Sequence, residues 1–408
     1  MIRVIPIVSL CLVWLTTPAL ADQETGQSPE HTAAQTTGQT ASQSASPAVR
    51  SLGPAGTPTI ELITMGEGEL LWERWGHAAL CVHRPGMVVV CYNYGTTNFA
   101  EPVGMVWDFL RGRSLFWVSR AARTSMMGFY TQQLDRTMWS QVLPLSPEKA
   151  RLAADLLETN ARGDAKYYKY HHYDDNCSTR VRDIIDRVTD GALSARTRTE
   201  TYEFSLREVT RRGLSEYTAF VLLSDYAIGR RADRRPSMYE AMHLPNVLRQ
   251  YVESEVGVKP VVLYQRQGRD FNVSDPPSRF WMILVILLIT APALLTWFMG
   301  RFRRLGLFIS LLPGGLIGLI VWTGVIISAL PEIRYNETAL VAMPLDLALP
   351  WLSPLWRRRY IGIRIAGLAL VALLSLVGVL HQPLWVPILL ALLPIVAAAL
   401  PERNASAS

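Results

Sequence analysis

The chain has 408 residues, half of them hydrophobic, and a formal charge of +6. Residues 57–279 hold 29 Lys and Arg against 27 Asp and Glu, residues 280–408 hold 9 against 4, and the first 56 residues give −1. The basic excess thus belongs to the most apolar stretch, which removes the main support for a nucleic-acid partner.

Residues 1–21 read as a secretory signal peptide: Arg3 gives the positive end, Val4 to Leu15 the apolar run, and Ala19-Leu20-Ala21 a cleavage site before Asp22. Cys11 lies inside this run behind Leu10, a poor context for a lipoprotein cysteine. If retained, the segment would anchor the chain in the same orientation, so the next domain is exported either way. Residues 22–56, rich in Gln, Ser, Thr, Ala and Gly, cannot bury a core and read as a disordered linker.

A folded domain is expected over residues 57–279. Thr59 to Thr64 reads as a strand, and Gly76 to His83 with Met87 to Tyr94 as a hairpin. Pro102 opens a helix closed by Gly112, with Val103, Val106, Trp107 and Leu110 as its apolar positions. Strands over Ser114 to Ser119 and Thr137 to Leu145 flank a short helix near Ser125 to Leu134, and Ser146-Pro147 caps the next helix. An amphipathic helix with Val181, Ile184, Ile185 and Val188 on its stripe starts at Cys177, capped by Asp175 or Asn176. Helical, Arg-rich segments over Tyr226 to Arg235 and Ser237 to Tyr251 read as a solvated face, with lipid headgroups as a second reading. The mixture of hairpins and helices makes the class α+β.

From Phe280 the chain reads as an all-α membrane domain. Five transmembrane helices are expected at 280–300, 305–330, 339–356, 361–380 and 384–400, followed by a cytoplasmic tail at 401–408. Arg301, Arg303 and Arg304 follow the first span and Arg357, Arg358 and Arg359 the third. Placing both clusters in the cytoplasm leaves the preceding domain in the periplasm of a multi-pass inner-membrane protein. Asp346, between Pro344 and Pro350, is an intramembrane carboxylate and so a candidate for function, although the span holding it is short enough to be interfacial or broken.

Three cysteines remain after signal removal. Cys81 and Cys91 flank the turn Arg84-Pro85-Gly86 symmetrically, which allows a cross-strand disulfide in an oxidising compartment. Cys177 is left unpaired in the first turn of a helix, where free backbone amides and the helix dipole favour a thiolate. The competing reading is a packed structural thiol. A nucleophile needs a base. With Cys81 opposite Cys91, His77, Ala79 and Cys81 share a face with Cys91, Asn93 and Gly95, making His77 the candidate base and Asn93 the candidate for holding its tautomer. His83, at the turn, reads as a surface histidine. His171 and His172 could form a zinc site with Cys177, but their spacing is not that of known sites, so no metal or cofactor is expected. Asp174 and Asp175 read as caps, with Arg180 and Arg182 as ion-pair partners of the helix.

Trp75-Gly76-His77-Ala78-Ala79-Leu80 followed later by Asn176-Cys177-Ser178-Thr179-Arg180 resembles the circularly permuted papain-like enzymes, including lecithin:retinol acyltransferase and relatives of NlpC-type peptidases. The resemblance is closer to the Lnb-type N-terminal periplasmic domain. It rests on Gly76-His77, Tyr92 to Gly95, Tyr173 to Asp183, Asp225 to Gly229 and Met242 to Pro245, and covers about residues 58–255. One departure is His243, where an aromatic residue usually precedes the late Leu-Pro. The resemblance implies lipoprotein N-acyltransferase activity. Cys177 would take an acyl chain from a membrane phospholipid as a thioester, with its own backbone N–H serving the oxyanion, and pass it to the N-terminal amine of a diacylated lipoprotein. The alternatives are a cysteine amidase or peptidase acting on peptidoglycan peptides, and a non-catalytic envelope sensor or assembly factor.

Overall fold

The computed structural model describes residues 56–98, 101–271 and 278–401. The signal peptide, nearly all of the linker and most of the C-terminal tail lie outside the described residues.

Seven strands form one antiparallel sheet in the order β6-β4-β3-β2-β1-β5-β7. They are β1 (Thr59–Met65), β2 (His77–His83), β3 (Val90–Thr96), β4 (Leu115–Ala122), β5 (Met138–Val142), β6 (Tyr167–Lys169) and β7 (Val261–Tyr264). Helix α1 (Pro102–Leu110) joins β3 to β4, and α2 (Arg123–Gly128), continued by a π-helical turn over Phe129–Gln133, joins β4 to β5. Helix α3 (Pro147–Asn160) precedes β6, and α4 (Cys177–Val188) follows it. Then come α5 (Ser194–Thr197), α6 (Leu206–Gly213), α7 (Thr218–Ala227), α8 (Met238–Ala241) and α9 (Pro245–Val256). The edge strands β6 and β7, three and four residues long, carry too little alternation to be read from sequence.

Alternation along β2 and β3 builds two cores. Ala78, Leu80, Val82, Tyr92 and Tyr94 face α3, α4 and α9, and pack with Val181, Ile185, Leu157 and Leu248. Ala79, Cys81 and Cys91 face the other way, among Ile63, Met65, Met126 and Met138. Cys81 and Cys91 stand directly opposite each other and are joined by a disulfide. Beneath it Glu61 is a buried carboxylate, accepting from Arg123 (2.8 and 2.9 Å), Ser140 (2.5 Å) and His83 (2.7 Å). Burial alone would raise its pKa, but the bonds from His83, Arg123 and Ser140 outweigh that and hold it at about 2. His83 is therefore a partner of this carboxylate, not a free surface histidine as expected.

The C-terminal part is helical. Helices α10 (Trp281–Phe298), α11 (Arg303–Ile327) and α13 (Pro354–Leu376) are long and apolar enough to cross a bilayer; α14 (Trp385–Ala399) is shorter, and α12 (Pro331–Arg334) is a single turn. Helix α13 begins seven residues before the expected 361, because Ser353-Pro354 starts it and its arginines are good helix formers.

The expected span 339–356 is not an α-helix. Glu337–Leu340 and Pro344–Trp351 are 3₁₀ segments, since Pro344 and Pro350 remove donors and disfavour the α conformation before them. This stretch runs antiparallel along α11. Ile333 packs at Gly324, Ala342 and Pro344 at Gly318, Leu347 at Gly315, and the Trp351 ring lies 5.3 Å from that of Phe308. Irregular backbone is tolerated in an apolar surround only when protein satisfies it. Arg364 does so, donating to the Val341 carbonyl (2.7 Å) while it holds both oxygens of Asp346 (2.8 Å each); Tyr360 completes the carboxylate at 2.6 Å. Arg364 escaped the sequence reading, although Arg357, Tyr360 and Arg364 recur at spacings of three and four and so share one helical face.

Candidate active site

Helix α4 starts at Cys177 because Asn176 caps it. Asn176 Oδ1 accepts the amides of Ser178 and Thr179 (2.9 Å each), and Thr179 Oγ1 returns the bond to the Asn176 amide (2.8 Å). The cap is itself anchored. Asn176 Nδ2 donates to the carbonyls of His172 (2.9 Å) and His243 (3.0 Å), and Ser178 Oγ donates to that of Met242 (2.7 Å). The late Met242 to Pro245 segment is thus the floor under the cysteine turn. Asp174 and Asp175 are not caps as expected: Asp175 grips Arg180 with both oxygens (2.5 and 2.7 Å), and Asp174 pairs with Arg231 (2.8 Å). Arg182 pairs with the adjacent Asp183 (2.7 Å).

Cys177 meets the sheet where β2 and β3 separate. The last paired residues there are Ala79 and Asn93. Beyond them the Ala78 amide donates to the Cys177 sulfur. On the other arm of the fork Gly95 adopts φ +88°, and a side chain there would meet Cys177 Cβ at 3.5 Å. That conformation suits glycine, and it keeps this arm of the fork low enough for the thiol to enter.

His77 and Asn93 occupy the same fork, with His77 Nε2 3.4 Å from Asn93 Oδ1. They lie on the sheet face opposite the one that receives the α4 stripe, because His77 alternates with Ala78. The expectation that docking the stripe would bring Cys177 to His77 therefore needs correction. The first turn of the helix, reaching the open edge of the fork, brings the thiol to the residue next to His77. Among the described residues no hydrogen bond joins His77 to Cys177.

The electrostatics of this fork are those of neutral groups. Burial, followed by the nearby Arg136 guanidinium, lowers the His77 pKa to about 4 against the opposing bond to Asn93. Burial also pushes the Cys177 thiol up, partly offset by the Ala78, Ser178 and Cys177 amides and by Arg136. Tyr130 stacks on His77 with ring centroids 5.9 Å apart, and burial raises its hydroxyl to about 12. Arg136 is fixed by the Gly66 carbonyl (2.8 Å) and lies over the Tyr130 ring at 5.1 Å. Neither Tyr130 nor Arg136 was legible, since each comes from a loop or turn with no spacing relation to Cys177.

The other histidines serve elsewhere. His172 is wedged among Trp75, Tyr173 and His243, with ring centroids at 4.7, 4.9 and 6.3 Å, and burial lowers its pKa to about 3. Burial lowers that of His243 to about 4. His171 reaches away from Cys177. Its Nδ1 accepts the Asp174 amide (3.1 Å), and its Nε2 faces Glu332 (3.2 Å) in α12. Ligand atoms of His171, Asp174 and Glu332 fall within 4.8 Å of one another, a spacing a cation could use. However, the imidazole turns opposite nitrogens to Asp174 and Glu332, and Arg231 bridges both carboxylates (2.8 and 3.1 Å), so the arrangement is an ion-pair cluster. It ties the loop before Cys177 to the helical part. Neighbouring bonds reinforce the tie: Asn336 Nδ2 to the Tyr226 carbonyl (2.7 Å), Arg230 N to the Tyr335 carbonyl (2.9 Å), and Gln382 Nε2 to the Ile228 carbonyl (3.0 Å).

Residues 54–212 match the family model described as the Lnb N-terminal periplasmic domain. The match runs from just before β1 into α6, and takes in His77, Asn93 and Cys177. No curated protein and no solved structure matches the chain. A periplasmic domain followed by three helices able to cross a bilayer fits a membrane protein with its N-terminal domain in the periplasm.

Proposed function

We propose that this protein is a membrane-anchored thiol acyltransferase that moves an acyl chain from phospholipid to the N-terminal amine of a diacylated lipoprotein. The observation that carries the reading is the fork itself. An unpaired cysteine at a helix N-terminus is surrounded by backbone amides, beside a neutral imidazole held by an amide side chain. A histidine strand preceding a cysteine helix is also the order of a permuted papain-like enzyme, which suits the periplasmic domain family that matches.

The low His77 pKa and raised thiol favour general-base activation over a resting thiolate–imidazolium pair. His77 takes the Cys177 proton as sulfur attacks the ester carbonyl carbon of the phospholipid. The tetrahedral intermediate collapses with C–O cleavage, and His77 returns the proton to the departing lysophospholipid oxygen. The lipoprotein α-amine then attacks the thioester, His77 takes its proton, and the C–S bond breaks to regenerate the thiol. Since Asn176 Oδ1 occupies the Ser178 and Thr179 amides, those of Cys177 and Ala78 are the donors left for the oxyanion. Five crossings of the inner membrane would suit the chain if residues 337–352 cross as irregular 3₁₀ segments supported by α11 and Arg364. Both acyl donor and acceptor then arrive laterally at the bilayer surface.

Labelled phospholipid should leave a hydroxylamine-labile acyl group on Cys177, and mass spectrometry should show lipoprotein N-termini losing their N-acyl group when the gene is deleted. Absence of label together with full biological activity of Cys177→Ala would sink the proposal. Release of peptides from wall fragments without lipid would replace it with a peptidase.

A further inference from the structure

We infer that helix α1 is an interfacial element lying in the headgroup layer of the bilayer, with phospholipid as its partner. The inference rests on the reading that α10, α11 and α13 span the membrane and goes beyond it by assigning a second, monotopic contact next to the fork. Helix α1 carries apolar side chains that remain largely exposed. Val106 and Trp107 are 42 % and 45 % exposed, and Leu115 just beyond the helix is 54 % exposed. Such a patch on a small domain marks an interaction surface.

Its place identifies the partner. Gly112, two residues past α1, has φ +61° and packs against the chain just after α11; a Cβ there would lie 3.1 Å from Ala329 Cβ and 3.8 Å from Leu330. Nine helical residues extend about 14 Å, so all of α1 stays close to this end of α11. There the outer face of α11 is itself apolar, with Ile326 74 % exposed. The polar groups have the interfacial pattern. Arg111 lies one turn from Trp107, its guanidinium 5.8 Å from the indole centroid, and Arg113 is exposed; Asp108 is the one acidic residue between 105 and 115. Tryptophan and arginine side by side at the end of a span suit phosphate headgroups above acyl chains. In the Arg-rich stretch considered from sequence for this role, two guanidinium groups are turned inward, Arg231 to Asp174 and Glu332, and Arg234 to Glu240.

The connection to the fork is short. Backward from α1 the chain enters β3 at Thr96, next to Gly95 against Cys177; forward, the Ser114 carbonyl accepts the Tyr170 amide (3.0 Å) in the segment leading to the cysteine. Phospholipid held along α1 would stand at the entrance of the site.

The test uses the full chain in phosphatidylethanolamine–phosphatidylglycerol vesicles, with Cys11 and Cys177 replaced by serine. A spin label at Val106→Cys should collide preferentially with oxygen. One at Met87→Cys, on the far turn of the β2–β3 hairpin, should collide with a water-soluble nickel chelate. Chelate access at residue 106 equal to that at 87 overturns the proposal. So does dipolar broadening at 106 that disappears on dilution with unlabelled protein, which would mean that a second copy covers α1. With Cys177 retained, Val106→Glu/Trp107→Glu should cut acyl-Cys177 formation from vesicle phospholipid at least tenfold, while a short water-soluble thioester acylates within twofold of normal. Equal loss with both donors would make α1 a packing element and overturn the inference. The collision measurement needs no activity, so it stands or falls apart from the acyltransferase reading.

Discussion

Two buried polar centres in this protein are organised in opposite ways. In the helical part Asp346 is gripped by Arg364 through both oxygens and by Tyr360, and Arg364 also takes up a loose carbonyl. Its charges answer one another, and both carboxylate oxygens are occupied by donors from the protein. In the fork Cys177, His77 and Asn93 are held neutral, and the one imidazole bond is long at 3.4 Å. A saturated ion pair keeps an irregular segment in place. Neutral groups with spare protons and lone pairs can exchange them with a substrate. The contrast teaches that the intramembrane carboxylate, functional by default from sequence, is accounted for by structure, whereas the uncharged fork is where chemistry can start.

Substitution should separate the two centres most sharply. Cys177→Ala should lose on the order of 10³-fold or more in acyl transfer while changing stability by less than about 1 kcal/mol. Asp346→Ala should do the reverse, leaving Arg364 buried without a partner and costing about 3–5 kcal/mol, measured by denaturation in detergent. Asp346→Leu with Arg364→Met should recover most of that loss. If Asp346→Ala left stability unchanged and removed activity, the comparison would collapse and the carboxylate would belong to the mechanism.

Acid titration sharpens the same contrast. His77, His172 and His243 are kept neutral by burial, at about 4, 3 and 4. Their folded pKa values lie below the unfolded value near 6.5, so the unfolded chain binds more protons below that pH. Stability should therefore fall as pH drops from about 6.5 towards 4, and go on falling below about 4.5, where Glu61, held at about 2 in the folded state, protonates first in the unfolded chain. A flat stability profile over that window would contradict the burial of these rings. At pH 7, iodoacetamide should alkylate Cys177 no faster than a free cysteine, since its thiol is raised by burial. Rapid alkylation would mean a resting ion pair instead.

The sheet was legible where residues alternate over six or seven positions. The β2–β3 register, with Cys81 opposite Cys91 and Asn93 opposite Ala79, followed from the two cysteines around one turn. The side of the sheet reached by α4 did not follow, because alternation says which residues share a face and nothing about which face a later helix covers. Hydropathy failed at 339–356 for a related reason. It counts apolar residues, while Pro344 and Pro350 decide the backbone and Arg364, eighteen positions on from Asp346, decides what can be buried. Glu332 was equally hidden, since its partner His171 stands 161 residues away. The unpaired state of Cys177 and its place at a capped helix start were visible, because both are local.

The smallest expected effect concerns Asn93, and it tests whether the fork is neutral by design or merely by burial. Asn93 Oδ1 faces His77 Nε2, so it accepts from the Nε2–H tautomer and leaves Nδ1 as the basic nitrogen. At 3.4 Å the bond is weak, and Asn93→Ala should lower kcat by about tenfold at most, through loss of ring orientation. Asn93→Asp places a carboxylate where the amide oxygen was and stabilises the imidazolium. The acid limb of kcat/KM, expected near pH 4 in the parent because His77 protonates there, should then move up by about 1–2 units. The same variant should speed alkylation of Cys177, because a charged imidazole beside the sulfur favours the thiolate. An acid limb that stays in place in Asn93→Asp would mean that Asn93 does not face the catalytic ring in solution. The base would then have to be sought among the other groups around the fork.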